Sequence, residues 1–281
     1  MYSNIIEMDI WSSFGCFSKP FSNSGGLLTY LIPPKTSIIG IIGAILGYSV
    51  DDYKLLENNS KKFKIEELFD IKISIQPLFD LKTKKIIFNY NYGNGLSNIK
   101  QDVLIKPYYK LFISFPNNLK NEERIFLNRI KSHKTVFSLY MGRNEFFLNY
   151  EFKNIFDYNS FVLTFKNSND FFNGNPRIYG TINRSIVKET VLKSDKDISE
   201  NVFEGVIYSD LKFTKRLKPF YEYIINEFPI KRENFVNFQF NKVSFYSART
   251  FDECYFSNIV LKEGCSMELC KIGDNKWIYL I

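Results

Sequence analysis

The apolar positions between Ile5 and Phe17 predict a first strand. It enters a Gly/Ser-rich loop, Ser18 to Gly26, and a short extended piece from Leu27 to Ile32. Pro33 and Pro34 then precede Thr36 and Ser37, either of which can serve as N-cap for a helix through the apolar run beginning at Ile38. Gly40, Gly43 and Gly47 are spaced three and four apart, so in a helix they share a face. Each costs about 1 kcal/mol relative to alanine in a helix interior, so three together imply a helix pressed flat on a neighbour, expected to be a sheet. The same run tests a membrane reading. Only 15 uncharged residues separate Lys35 from Asp51, short of the roughly 18 a spanning helix needs, and no membrane span is expected.

Further along, Leu55 to Glu67 is polar and Lys-rich, a loop or a short helix, and Phe69 to Phe79 reads as a strand. Two strand-like runs flank a turn at Asn94-Gly95, giving a long hairpin decorated by Lys82, Lys84, Lys85 and Lys100. A second helix is expected from Asn121 to Lys131, burying Ile125, Phe126, Leu127 and Ile130. Glu122 and Glu123 fall in its first turn and Arg129 and Lys131 in its last, as the helix dipole favours. Val136 to Phe147 follows as loop and strand. The order β-α-β-hairpin-β-α-β fits an α+β, ferredoxin-like (RRM-like) domain over residues 1–150, with the hairpin projecting around 80–106. After Tyr150 the texture changes to strands at Phe161–Phe165, Ile178–Lys188, Phe203–Phe213, Phe235–Phe245, Phe256–Lys262 and Lys276–Ile281. Only Lys215 to Phe228 is helical in character, so residues 151–281 are expected to form a mostly β region.

Charge sharpens the picture. Lys plus Arg number 37 and Asp plus Glu 30, a formal +7 that suits a polyanionic partner. The aromatic excess, 29 Phe and 18 Tyr, fits a Phe-rich core or exposed rings that stack on bases. Cys16, Cys254, Cys265 and Cys270 provide no second pair around the C-x4-C spacing and no neighbouring His, so free thiols are expected and no metal. No phosphate-binding or dinucleotide glycine motif is present, and no cofactor is expected. The first residues carry no basic region of a signal peptide, which points to the cytoplasm.

The lone histidine, His133 in RIKSHKTVF, is either a general base for RNA cleavage or a solvated helix-end residue. Two stretches have the makings of a phosphate-contacting surface. SKPFSNSGGLLTYLIPPKTS carries Lys19, Thr29, Tyr30 and Lys35 and delivers a helix N-terminus at Thr36-Ser37, where free N–H groups favour an anion. LYMGRNEFF offers Gly142 for close backbone approach, Arg143 to fork onto a phosphate or pair with Glu145, Asn144 to read a base edge and Tyr140 to stack.

GCFSKPFSNSGGLLTY and IPPKTSIIGIIGAILGY behind a first strand, with LYMGRNEFF about a hundred residues later, resemble the fifth family of CRISPR-associated proteins. This family belongs to the repeat-associated RNA-binding (RAMP) superfamily, and the resemblance is closest to members of type I-B complexes. It covers residues 1–150 and implies a non-catalytic subunit that caps the Cascade surveillance complex by gripping the 5′ handle of CRISPR RNA. Implied partners are the Cascade backbone subunit, the large subunit and, indirectly, target DNA. The hairpin, with Lys84, Lys85, Tyr92, Asn94 and Lys100, would be a thumb over guide and target. Lys19 stands where relatives often carry arginine, keeping charge but losing the bidentate fork. One branch of the family, in type I-C systems, is a metal-independent endoribonuclease that uses basic and histidine residues near the start of the second helix. This chain has Asn121-Glu122-Glu123 there, with His133 at the other end, which disfavours that alternative. A generic single-strand RNA binder of the same fold is a third reading.

Overall fold

A computed structural model describes residues 2–21, 26–49, 67–92, 95–194, 202–206, 212–216, 220–232, 237–248 and 254–281. The chain is α+β and dominated by strands. Strand β1 (Asn4–Trp11) is followed by two short strands, β2 (Phe14–Gly15) and β3 (Phe17–Ser18), where one long strand was expected. Then come β4 (Thr29–Tyr30), α1 (Lys35–Leu46), β5 (Lys72–Pro77), the hairpin β6 (Lys82–Tyr92) and β7 (Gly95–Ile105), β8 (Tyr108–Ser114), α2 (Lys120–Lys131) and β9 (Asn149–Asp157).

Four of these strands form one antiparallel sheet in the order β5-β8-β1-β9. Each helix therefore links strands that are not neighbours, with a third strand between them. β1 reads NIIEMDIW and is buried almost throughout, because both faces of the sheet are covered. Ile6, Met8 and Ile10 join Ile73, Ile75, Leu111 and Ile113 beneath Ile38, Ile42 and Ile45 of α1 and Phe126 and Ile130 of α2. On the opposite face, Ile5 and Phe112 meet Tyr179, Ile272, Ile278 and Leu280 from the second half of the chain. Glu7 and Asp9 alternate with the apolar set and are held on that second face by Lys110 (2.5 Å from Glu7) and Lys153 (3.6 Å from Asp9). Losing water there raises the Asp9 pKa despite both lysines.

The second half builds β10 (Ser160–Thr164), α3 (Ser168–Asn173), β11 (Arg177–Tyr179), β12 (Ile182–Asn183), β13 (Val187–Ser194), β14 (Val202–Val206) and β15 (Lys212–Arg216). β16 (Phe220–Arg232), β17 (Phe238–Ala248), β18 (Cys254–Leu261), β19 (Ser266–Gly273) and β20 (Lys276–Tyr279) complete it. Six strands pair in the order β10-β19-β20-β11-β18-β13, three in the order β12-β17-β16, and β14 with β15.

Several expectations change. The helix expected from Lys215 to Phe228 is instead strand β15 and the start of β16, among the described residues. The run Phe220, Tyr221, Tyr223, Ile224, Ile225 favours a strand, β17 supplies its ladder, and Pro229 sits at a break in register, where a strand tolerates it. β9 carries the first sheet to Asp157, so the change of texture at residue 150 falls inside a strand. The two halves also share a core. β16 packs on α1, Phe228, Val243 and Phe245 join the main cluster, and Ile281 exchanges two backbone hydrogen bonds with Ile73 on β5 (3.1 and 2.7 Å).

The glycine-faced helix is corrected too. α1 begins at Lys35, with Pro34 as its N-cap and no side-chain cap, so Thr36 and Ser37 lie inside the first turn. Gly47 is the left-handed C-cap (φ 80°), and a Cβ on Gly40 would meet nothing within 4 Å. Only Gly43 of the three is a buried interior glycine, and α1 packs on β16 and α2 through its isoleucines. Of the expected segment Leu55 to Glu67, all but Glu67 lies outside the described residues.

Candidate nucleic-acid interface

The site forms where two distant stretches close on each other. Residues 139–148 make a tight loop: Met141 N–H donates to the Phe146 carbonyl (2.7 Å), Phe146 N–H to Arg143 (3.0 Å) and Leu148 N–H to Leu139 (2.9 Å). The loop docks on the first stretch through Cys16 N–H, which donates to the Met141 carbonyl at 2.9 Å. At Gly142 φ is +88°, and a Cβ there would sit 2.0 Å from the Cys16 carbonyl oxygen. The close approach that this glycine permits is therefore to the chain's own backbone.

Arg143 reaches the hairpin. Its Nη1 donates to the Gln101 side-chain carbonyl, its Nε lies 3.6 Å from Glu145, and its guanidinium stands 5.4 Å from the Phe88 ring centre. Gln101 is buried and donates in turn to the Cys16 sulfur. The base of the hairpin is fixed further by β2 pairing with β7, and by Leu27, which bonds Lys100 and Asp102 (2.8 and 2.9 Å). Arg143 thus joins the loop to β6 and β7 while remaining partly exposed.

Between this loop and α1 runs a groove of about 210 Å³. Ser37, Gly40 and Ala44 line one wall; Tyr140, Arg143 and Asn144 line the other. Among the described residues no carboxylate lines it, and the bare Gly40 keeps it open. The Ser37 end of the α1 wall brings the positive end of a helix dipole and the Ser37 hydroxyl to the groove, and the Asn144 amide and the Tyr140 ring line the other wall. These groups can accept an anionic, hydrogen-bonding ligand along an open channel.

Five of the residues selected from sequence therefore meet: Ser37, Tyr140, Gly142, Arg143 and Asn144. Others do not. Lys35 is buried (7% exposed), not aimed outward; its Nζ donates to the Ile281 carbonyl at 3.1 Å, and burial lowers its pKa to about 8. Tyr30 is buried, donates to the Glu227 carbonyl (2.8 Å), and has its pKa pushed up to about 12 by burial, so it cannot stack on a base. Thr29 is buried and accepts from Phe17 N–H (2.9 Å). Thr36 is half-buried and lines no part of the groove, and Lys19 lies 5.5 Å from the Tyr30 ring centre. Lys84, Lys85 and Lys100 are exposed on the hairpin. Asn94, and with it the first half of the expected Asn94-Gly95 turn, and the side chain of Tyr92 lie outside the described residues; Tyr92 pairs with Gly95. Gln101 and Phe88 had no signal in the sequence, since each is one position in an ordinary strand run.

His133 is exposed, takes a positive φ (53°) just past α2 and stacks on Tyr150 with ring centres 5.6 Å apart. At the other end of the helix, buried Glu123 accepts from Asn4 Nδ2 (2.9 Å). Among the described residues, no cluster of His, Cys, Asp and Glu is placed to hold a metal ion, and no helix is long and apolar enough to cross a membrane.

The profile of the family described as CRISPR-associated protein (Cas_Cas5) matches residues 5–149, which span β1 to the start of β9 and include both walls of the groove. The chain belongs to this Cas5 family of CRISPR-associated proteins. No curated protein matches the sequence. Among solved structures, a chain of a CRISPR RNA-guided surveillance complex is 8% identical, with 91% of each chain covered and a TM-score of 0.42. A CRISPR protein from Archaeoglobus fulgidus is 11% identical, with 100% of this chain and 98% of that one covered and a TM-score of 0.38. A further CRISPR-associated protein is 14% identical over 55% of this chain and 69% of its own, with a TM-score of 0.35. The family assignment rests on the sequence match.

Proposed function

We propose that this chain is a non-catalytic subunit of a type I, I-B-like CRISPR interference complex, the Cascade subunit that binds and caps the 5′ handle of CRISPR RNA. The observation that carries the reading is the groove between the Ser37–Ala44 face of α1 and the Tyr140–Asn144 loop, lined by no carboxylate among the described residues and inside the family-matched region. Handle phosphates lie along the α1 wall, near the dipole and Ser37, while Asn144 and Tyr140 meet base edge and base face. The sheet order β5-β8-β1-β9 with its two crossing helices supports a ferredoxin-like domain as the platform. The hairpin, with Lys84, Lys85 and Lys100 exposed, is the thumb over guide and target. Its partners are the Cascade backbone and large subunits, in the cytoplasm. A non-catalytic role is favoured by Glu122 and Glu123 in the first turn of α2, where the nuclease branch places basic groups.

Fluorescence anisotropy with a labelled repeat-derived 5′ handle, against the same RNA with its handle scrambled, tests the reading. The wild type prefers the handle, and Ser37→Asp, which puts a carboxylate into the groove, weakens handle binding about tenfold. Equal affinity for both RNAs, or unchanged binding by Ser37→Asp, overturns it.

A further inference from the structure

A second groove, of about 510 Å³, opens on the six-stranded sheet between α3 and the edge formed by β13 and β18. Its volume falls in the range of about 300–1,000 Å³ typical of ligand sites. β13 is the edge strand, and Val191 on it lies opposite Asn258 on β18 beside a break in register. The lining has an unusual chemistry. Asn169, Asn173, Asn175 and Asn258 contribute amides, and among the described residues of the lining Lys193 is the sole charged side chain. Among the described residues no side-chain hydrogen bond engages the amides of Asn169, Asn173 or Asn258, which leaves donors and acceptors to spare. Phe165 (57% exposed) and Val191 (46% exposed) add exposed apolar surface.

We propose that this groove holds an unstacked base of single-stranded nucleic acid, as a contact separate from the handle groove. A base has flat apolar faces, which Phe165 and Val191 can cover, and edges that alternate donors and acceptors. Asparagine amides match such edges because each donates and accepts at once. Lys193 supplies the phosphate contact, and no carboxylate is among the described lining residues. A duplex is excluded by the same chemistry, since its bases are stacked and their edges paired. The proposal goes beyond the handle reading and does not depend on it.

The test uses the full chain and short, labelled, mixed-sequence oligonucleotides without a handle, in RNA, DNA and duplex RNA arms. The wild type binds the single strands and not the duplex, and the RNA and DNA arms separate guide from displaced DNA as the source. Phe165→Ala and Asn258→Ala each weaken single-strand binding about tenfold. Lys193→Gln lowers the slope of log affinity against log salt by about 0.7, the value for one phosphate of a single strand. RNA carrying 4-thiouridine crosslinks to the peptide spanning 165–175. Unchanged affinity in Phe165→Ala and Asn258→Ala, a wild type that ignores handle-free single strands, or crosslinks only elsewhere overturns the proposal. Ser37→Asp separates the two readings: it weakens handle binding and leaves handle-free binding intact, whereas the variants of the second groove do the reverse.

Discussion

Lys35→Met removes the buried ammonium at the start of α1 and keeps a side chain of similar length. The lysine pKa falls from 10.5 to about 8 on folding, because burial opposes its charge. At 1.36 kcal/mol per pH unit, that shift means the charged lysine costs the fold about 3 kcal/mol below pH 8. The cost is offset by the hydrogen bond to the Ile281 carbonyl, worth about 1.5 kcal/mol for a charged donor. That carbonyl keeps a second donor, Ile73 N–H at 3.1 Å, so methionine leaves no acceptor unpaired. Methionine is therefore expected to stabilise the protein by about 1–2 kcal/mol at pH 7. The sign of the pH dependence follows from linkage. Between pH 8 and 10.5 the unfolded chain holds a proton that the folded lysine has lost, so wild-type stability rises with pH across that window. The methionine variant lacks this rise, and its advantage shrinks as pH climbs from 8 towards 10.5. Urea unfolding of both proteins at pH 7, 8, 9 and 10 measures it, and other titrating groups cancel in the difference. A difference that stays flat across the series, or a variant destabilised by several kcal/mol at pH 7, refutes the reasoning. Handle binding by Lys35→Met is expected to match the wild type, because this lysine faces the core.

Two glycines respond in opposite ways: Gly40→Ala, whose Cβ meets open space, raises stability by about 0.5–1 kcal/mol while narrowing the groove and weakening handle binding. Gly142→Ala costs more than about 2 kcal/mol in thermal or urea unfolding, since its φ is positive and its Cβ collides with the Cys16 carbonyl. Arg143→Lys keeps the charge but loses the reach to Gln101, and is expected to cost about 1 kcal/mol and speed amide exchange at the base of β6 and β7. His133→Ala is expected to leave handle binding unchanged; specific cleavage of repeat RNA in chelator by the wild type, lost in this variant, would overturn the non-catalytic reading.

Local signals in the sequence carried the first half of the fold. The charge order of Glu122, Glu123, Arg129 and Lys131 marks α2, which runs one residue longer than expected, and alternation marks β5 and the hairpin. The groove residues Ser37, Tyr140 and Arg143 were legible one by one, but their meeting is a tertiary fact. What the sequence hid is what depends on a partner across the fold. Lys35 reads as an RNA-contacting cation until Ile281 is placed beside it, and Tyr30 as an RNA-contacting residue until Glu227 is. The segment from Lys215 to Phe228 carries helical spacing, yet pairing with β17 makes its second part a strand. Gly142 was selected for the right property, close approach, and the wrong neighbour.

The central claim is that the groove between α1 and the Tyr140–Asn144 loop grips the 5′ handle. Ribonuclease footprinting of CRISPR RNA in the assembled complex tests it most directly. The account predicts a protected handle with the wild-type chain, and a handle that becomes cleavable with Ser37→Asp or Asn144→Ala while the rest of the guide stays covered. A handle equally protected by both variants, or cleaved in the wild-type complex, would contradict it.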